Sequence, residues 1–130
     1  RMAHELDLLT SPYVFDEDQA KDMARAGADI LVPHMGLTTS GTIGAKTALT
    51  LEEAAVKVQQ LADAARSVNP DILCLCHGGP IANPADAQYI LDHTDGIVGF
   101  YGASSIERFP TEVGIRAQTE EFKAVTFKKG

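Results

Sequence analysis

The sequence predicts an α/β protein, the C-terminal half (four βα units) of a (β/α)8 TIM barrel with parallel strands and outer helices. Four apolar runs, at 8–15, 30–35, 72–76 and 97–101, alternate with helical patterns. Their near-continuous apolar character is typical of parallel strands that are buried on both faces. The chain has 130 residues, whereas a complete barrel takes ~250 residues. Four strand–helix units therefore amount to half of a barrel.

Two architectures fit this repetition, a small flavodoxin-like sandwich and part of a barrel. The barrel is favoured because the unusual residues follow the C-terminal ends of the strands, while the turns that enter the strands are short and plain. The opening stretch RMAHEL has the pattern of the last turns of a helix. We therefore expect one partial barrel domain over 1–130, with its upstream half missing from this sequence.

Each apolar run is followed by a helix whose start can be identified. The expected N-caps are Asp16, Thr50, Asn83 and Thr111. Thr50 is followed three residues later by Glu53, which is the capping-box spacing. The helix after Thr50 carries apolar residues every three or four positions, which predicts one face packed against the sheet.

Composition and charge exclude several classes of protein. Hydrophobic residues make up 45% and charged residues 22% of the chain, which is ordinary for a globular domain. The net charge of -7 argues against nucleic-acid binding, which needs a basic face. No apolar run approaches the ~20 residues that span a bilayer. We expect neither a nucleic-acid partner nor a membrane partner.

The two cysteines, Cys74 and Cys76, lie two positions apart within an apolar run. On a strand they share a face with parallel side chains, a poor geometry for a disulfide. This favours a reducing, cytoplasmic setting. The sequence Cys74-x-Cys76-His77 also suggests zinc, but no second Cys/His pair has zinc spacing, so buried small side chains are the favoured interpretation.

Two histidines are the candidate catalytic residues. His34 ends the second predicted strand and His77 ends the third. Equivalent positions on neighbouring parallel strands lie ~4.8 Å apart, so the two rings would share a pocket. Either imidazole would serve as an acid or base, or polarise a carbonyl. The alternative is a pair of structural histidines bonded to backbone carbonyls.

Glycine-containing loops after the third and fourth strands are candidate anion sites. Glycine lets the backbone approach a ligand closely, and barrels often hold phosphate after their last two strands. The predicted substrate- or anion-binding residues here are Gly78, Gly79, Gly102, Ala103, Ser104 and Ser105. The alternative interpretation is that these loops are only tight strand-to-helix turns.

The longest connection, 36–49, reads GLTTSGTIGAKTAL and has no strong apolar pattern. Long polar loops in compact domains are usually functional or mobile. Its Thr38, Thr39 and Lys46 are therefore predicted to close over an anionic substrate. A long linker without a role is the alternative.

Taken together, HMGLTT, CHGGPI and FYGASS resemble the phosphoenolpyruvate hydrolase-like TIM-barrel family of the phosphoenolpyruvate/pyruvate barrel superfamily. The resemblance extends over nearly the whole chain. It implies hydrolase or lyase chemistry in the complete barrel, on a small phosphorylated or 2-oxo/enol acid. It also implies Mg²⁺, held by acidic residues of the missing half, with no metal ligands in this chain. A non-catalytic ligand-sensing or protein-interaction barrel is the alternative.

The half-barrel architecture also predicts association. Four curved strands leave two open edges and an apolar inner face, which favour contact with another chain. Val14, Val32, Leu75 and Val98 are expected to lack part of their packing. We therefore expect a homo-oligomer, most simply a two-fold dimer.

Overall fold

The computed structural model describes residues 2–37, 49–107 and 111–126. The elements along the chain are α1 (Met2–Glu5), β1 (Tyr13–Val14), α2 (Glu17–Arg25), β2 (Ile30–Pro33), α3 (Leu51–Arg66), β3 (Leu73–Cys76), α4 (Pro84–Asp92), β4 (Ile97–Phe100), α5 (Ser104–Glu107) and α6 (Thr111–Lys123). Within the described ranges, no helix has the length and apolar character needed to cross a membrane.

The four strands form one parallel sheet in the order β1-β2-β3-β4. A flavodoxin-like sheet reverses its winding at a switch point and places its strands in the order 2-1-3-4-5. Sequential order instead follows from winding in one direction, as in a barrel. The helices are neighbours as well, since α2 packs on α3 and α3 on α4. The fold is therefore a partial (β/α)8 barrel, and the sandwich alternative is excluded.

The first strand lies at an edge of the described sheet and directly follows Pro12. The carbonyls of Thr10, Pro12 and Val14 accept hydrogen bonds from the N–H groups of Ile30, Val32 and His34, at 2.9–3.0 Å. Proline has no N–H to donate, so an edge position, where it only accepts, suits it. Because β1 pairs with β2 in parallel, both strands end at the same edge of the sheet.

The core lies between the sheet and the helices. Val14, Leu31, Cys74 and Ile97 belong to it and are at most 8% exposed. The facing side of α3 is rich in alanine, and its buried residues are Ala54, Ala55, Val58, Leu61, Ala62, Ala64 and Ala65. Small side chains let α3 lie close to the strands. Burial of each larger aliphatic side chain stabilises the fold by roughly 1.5–3 kcal/mol.

The inner face of the sheet is much less covered than the helix face. Tyr13, Leu73 and Val98 are 42%, 49% and 60% exposed. The expectation that Val14 and Val32 lack packing is wrong, because both are fully buried. Val14 faces the helices, since successive side chains of a strand point to opposite faces.

Three of the four predicted N-caps are confirmed. Asp16 accepts from the Gln19 N–H at 2.8 Å, and Thr50 and Asn83 each form a capping box. Thr111 is instead the first residue of α6. The apolar residues of α6 are exposed and it has no buried residue, because α6 makes only sparse contacts with the other described elements.

A carboxylate ties the beginning of the chain to the start of β2. Asp29 accepts hydrogen bonds from the Thr10 hydroxyl at 2.7 Å, the Thr10 N–H at 2.8 Å and His4 at 3.1 Å. The two hydrogen bonds from Thr10 are the main reason that the pKa of Asp29 is lowered from 3.8 to about 2. Ionised Asp29 therefore favours the folded chain.

We predict that Asp29→Asn lowers the free energy of unfolding at pH 7. The variant's free energy of unfolding should also depend less on pH in the acid range. A carboxylate whose pKa is lower in the folded state stabilises the fold above the unfolded pKa, and this stabilisation is lost as the pH falls through the folded pKa. For Asp29 the window therefore runs from about pH 4 down to about pH 2. Urea unfolding at pH 7, 5 and 3 measures the effect.

Asp71→Asn is the matched control, because Asp71 also precedes a strand and its carboxylate has no hydrogen bond to a described residue. Equal losses of stability in the two variants at pH 7 would contradict a specific role for Asp29.

Candidate functional site

His34 and His77 lie side by side at the C-terminal edge of the sheet. They form a parallel bridge directly beyond β2 and β3, and the Met35 N–H donates to the His77 carbonyl at 2.9 Å. The ring centroids are 4.7 Å apart and the rings are inclined by 75°. His77 is 7% exposed and His34 is half-buried. We call this edge, with its two imidazoles, the mouth.

Aromatic side chains surround the two imidazoles. Tyr13 stacks on His77, with centroids 4.9 Å apart and planes 8° from parallel, and meets His34 edge-on at 4.9 Å. The ring centroids of Phe15 and His34 are 5.0 Å apart, and those of Tyr101 and His77 are 6.0 Å apart. Tyr13 and Tyr101 were not predicted as site residues, because both fall within apolar runs of the sequence. Their position near a strand end, like that of the histidines, was the available signal.

Backbone groups hold both rings through their Nδ1 atoms. His77 Nδ1 lies 2.6 Å from the carbonyl oxygen of Tyr101, and His34 Nδ1 accepts from the Gly36 N–H at 3.0 Å. Burial lowers the pKa of His34 below its ordinary value of 6.5, and the proximity of His77 lowers it further. Both effects favour the neutral form of His34.

The loop after β3 packs tightly against the end of β2. Gly78 and Gly79 have φ values of 76° and 61°, a region that favours glycine. A Cβ on Gly79 would overlap the carbonyl oxygen of Met35, and one on Gly78 would overlap that of Gly36. The Gly79 N–H donates to the Gly36 carbonyl at 2.7 Å. The two glycines therefore permit the close approach of the two loops, and the Gly79 N–H is already engaged.

The loop after β4 begins at the same edge of the sheet. The Tyr101 N–H donates to the Cys76 carbonyl at 2.9 Å, so Gly102 and Ala103 start directly beyond this pairing. Ser104 and Ser105 open α5. The two predicted anion loops thus follow adjacent strands. Thr38, Thr39 and Lys46, with most of the expected lid, lie outside the described residues.

The described residues do not fit a magnesium site. Mg²⁺ prefers oxygen ligands, chiefly carboxylates, whereas the mouth presents imidazoles and aromatic rings. Asp29 lies at the other end of β2, where Thr10 and His4 engage it. Among the described residues, no three His, Cys, Asp or Glu side chains cluster as metal ligands would.

The two thiols are unsuited to zinc. Cys74 and Cys76 are both fully buried. Burial raises the pKa of Cys74, and it raises that of Cys76 to about 11. Zinc binds the thiolate, so these cysteines serve as core side chains.

Parallel strands in sequential order, helices on one side and polar rings at the strand ends define a (β/α)8-barrel protein with its candidate site at the usual end of the barrel. A sequence profile of known proteins makes the assignment more specific. The chain belongs to the phosphoenolpyruvate hydrolase-like family, whose profile matches residues 1–125. The family resemblance noted from the sequence is thereby confirmed.

Three longer proteins are similar to nearly the whole chain. In Solanum lycopersicum, the ToMV susceptible protein tm-1(GCR26) is 56% identical and the ToMV resistance protein Tm-1(GCR237) is 55% identical, each over 126 residues. The putative transcriptional regulatory protein y4pA of Sinorhizobium fredii is 34% identical over 125 residues. The matches cover 96–97% of this chain but only 17–20% of the relatives. These names specify neither a ligand nor a reaction.

We predict that Gly79→Ala lowers the free energy of unfolding by more than about 1 kcal/mol, since alanine is strained at this φ and its Cβ would meet backbone atoms. Gly102→Ala is the matched control, because the added Cβ meets mainly the end of the flexible Ile106 side chain. Urea unfolding measures both. Equal stability of the two variants would contradict the proposed close approach.

Proposed function

We propose that the complete barrel binds a small phosphorylated or 2-oxo/enol acid at the mouth and acts on it as a hydrolase or lyase. The observation that carries this proposal is the pairing of His34 and His77, 4.7 Å apart at the C-terminal ends of β2 and β3. Barrel enzymes place their active sites at this end. Imidazole is also the side chain best suited to proton exchange near neutral pH.

The roles proposed for the residues follow from their positions. His34 and His77 polarise the substrate or exchange protons with it. The loops at 78–79 and 102–105 flank the mouth and hold the acid group. Gly79 contributes chiefly by shaping its loop, since its N–H is engaged by Gly36. Thr38, Thr39 and Lys46 belong to the same proposal as contacts to the acid.

Magnesium belongs to the proposal only through the family resemblance. Its acidic ligands would come from parts of the protein outside this chain, and we assign no step to the metal. A cytoplasmic location is likewise a proposal, supported by the two reduced, buried cysteines.

A ligand-sensing or protein-interaction barrel without catalysis is the second candidate. The description of the relative in Sinorhizobium fredii as a putative transcriptional regulatory protein favours it. Such a barrel would bind the acid without converting it, so product formation by the longer protein separates the two candidates.

We predict that phosphoenolpyruvate binds at the mouth and that Ser104→Asp weakens its binding about tenfold, or about 1.4 kcal/mol. The added carboxylate would occupy the place of the acid group and repel it. Calorimetric titration of the longer protein, which would hold the complete barrel, with phosphoenolpyruvate measures this.

Asn69→Asp is the matched control, because it adds the same charge before β3, at the opposite end of the sheet. Equal binding by the two variants would contradict an acid site near Ser104. Absence of phosphoenolpyruvate binding by the unaltered protein would contradict the phosphorylated acid in this proposal.

We also propose that this chain forms a homo-oligomer through the inner face of its sheet, because Leu73 and Val98 are 49% and 60% exposed there. Val98→Glu should shift the protein toward the monomer, since the new charge would have to be desolvated in the interface. Val56→Glu is the control, because Val56 is 59% exposed but lies on α3. Light scattering measures the mass, and a monomeric unaltered protein at high concentration would contradict this proposal.

A further inference from the structure

A backbone hydrogen-bond acceptor holds the imidazole of His77, and a backbone hydrogen-bond donor holds that of His34. The partner of His77 Nδ1 is the Tyr101 carbonyl oxygen, which only accepts, so this nitrogen must carry the hydrogen. The partner of His34 Nδ1 is the Gly36 N–H, which only donates, so this nitrogen must carry the lone pair. The neutral rings are therefore opposite tautomers.

Opposite tautomers give the two Nε2 atoms opposite chemistry. His77 Nε2 has a lone pair and can take a proton, while His34 Nε2 bears a hydrogen and can donate a hydrogen bond. Neither Nε2 has a hydrogen-bond partner among the described residues. In that part of the chain, no buried side-chain nitrogen or oxygen lacks a partner. Both Nε2 atoms therefore reach solvent.

We propose that this pair enolises a carbonyl compound, with His77 Nε2 as the general base and the His34 Nε2–H as a neutral donor to the oxygen that becomes negative. The inference rests on the proposed function and narrows its substrate class to 2-oxo acids with a hydrogen on the carbon next to the carbonyl. A base and an oxyanion donor, side by side, are the two groups that this reaction needs.

The proposed step is balanced without an oxidant or a reductant. The C–H bond next to the carbonyl breaks and its proton moves to His77 Nε2. The electron pair of that bond forms the C=C bond, and the carbonyl π electrons move to the oxygen. The resulting enolate accepts the hydrogen bond of His34 Nε2–H. The imidazolium of His77 keeps its Nδ1–H on the Tyr101 carbonyl, and return of the proton to carbon reverses the step.

The surroundings of the pair favour this chemistry. The rings in contact with the imidazoles are those of Tyr13, Phe15 and Tyr101, which are uncharged and suit a planar conjugated substrate. Burial lowers the pKa of His34, which keeps it a neutral donor. A neutral imidazole can act as the electrophile that polarises a carbonyl. Tyr13 stacks on the His77 ring, whose Nδ1 lies within hydrogen-bond distance of the Tyr101 carbonyl oxygen.

The tautomers are the first test. The chain contains 4 histidines, so nitrogen-15 labelling of histidine gives few signals, and single His→Gln variants assign them. At pH 8 the unaltered protein should show hydrogen on Nδ1 of His77 and on Nε2 of His34. The same tautomer in both rings, or the reverse assignment, would overturn the proposal. This measurement needs no ligand and no activity.

Proton exchange is the second test. Pyruvate is the probe, and its methyl protons should exchange with deuterium from the solvent faster with the protein than without it, as followed by proton NMR. His77→Gln should reduce the acceleration of exchange at least 100-fold, because a positioned base contributes roughly 10²–10⁴-fold to the rate. His34→Gln, which retains an N–H donor, should lose less. His93→Gln is the control, because His93 contacts Tyr89 on α4.

The outcomes separate the two proposals. If the unaltered protein binds phosphoenolpyruvate and shows opposite tautomers but does not accelerate exchange, enolisation is overturned and acid binding stands. If His93→Gln loses as much as His77→Gln, the assignment of the base is wrong. If phosphoenolpyruvate does not bind but exchange is accelerated, the phosphorylated substrate is excluded and the enolising pair stands.

Discussion

Parallel pairing of the four strands in chain order is the constraint on which the rest of this structure depends. Every parallel connection must return the chain to the same starting edge, so all four strands end at one edge. This places His34 beside His77 and brings Tyr13 and Tyr101 to the same two rings. The candidate site is thus a consequence of the strand order, although its residues are widely separated along the chain.

The two faces of the sheet are in different environments, because the described helices α2, α3 and α4 pack on one of them. On the outer face, the alanine-rich side of α3 packs against β2 and α4 packs against β4. On the inner face, Leu73 is 49% exposed and Val98 is 60% exposed. In a complete barrel, layers of side chains from all the strands fill this space. The inner face is therefore where further strands, or a second copy of the chain, would complete the packing.

Backbone groups, more than side chains, set the character of the candidate site. The Gly36 N–H and the Tyr101 carbonyl decide which nitrogen of each imidazole carries the hydrogen. Gly78 and Gly79 let the neighbouring loop approach Gly36 closely enough to hold it in place. The glycines thus contribute to the chemistry of His34 indirectly, through the position of one backbone N–H. Direct contact with an acid group is a separate and additional proposal for them.

The sequence by itself determined the α/β class, the family, the strand runs and the N-caps at Asp16, Thr50 and Asn83. These features depend on local hydrogen bonds, on hydrophobic periodicity and on motifs of adjacent residues, all of which can be recognised in a linear chain. The identity and order of neighbouring strands do not have a local signature. The repetition of strands and helices therefore fits a flavodoxin-like sheet as well as a barrel, and the observed pairing excludes the flavodoxin-like sheet.

Only the tertiary structure decided which face each strand residue occupies and which backbone groups meet the imidazoles. Near-continuous apolar runs carry no alternation, so the full burial of Val14 and Val32 could not be predicted. The contacts of Tyr13 and Tyr101 with His77 join different strands, and the engagement of the Gly79 N–H by Gly36 joins two loops. Such contacts depend on strand register, and one residue of shift would reverse every side chain.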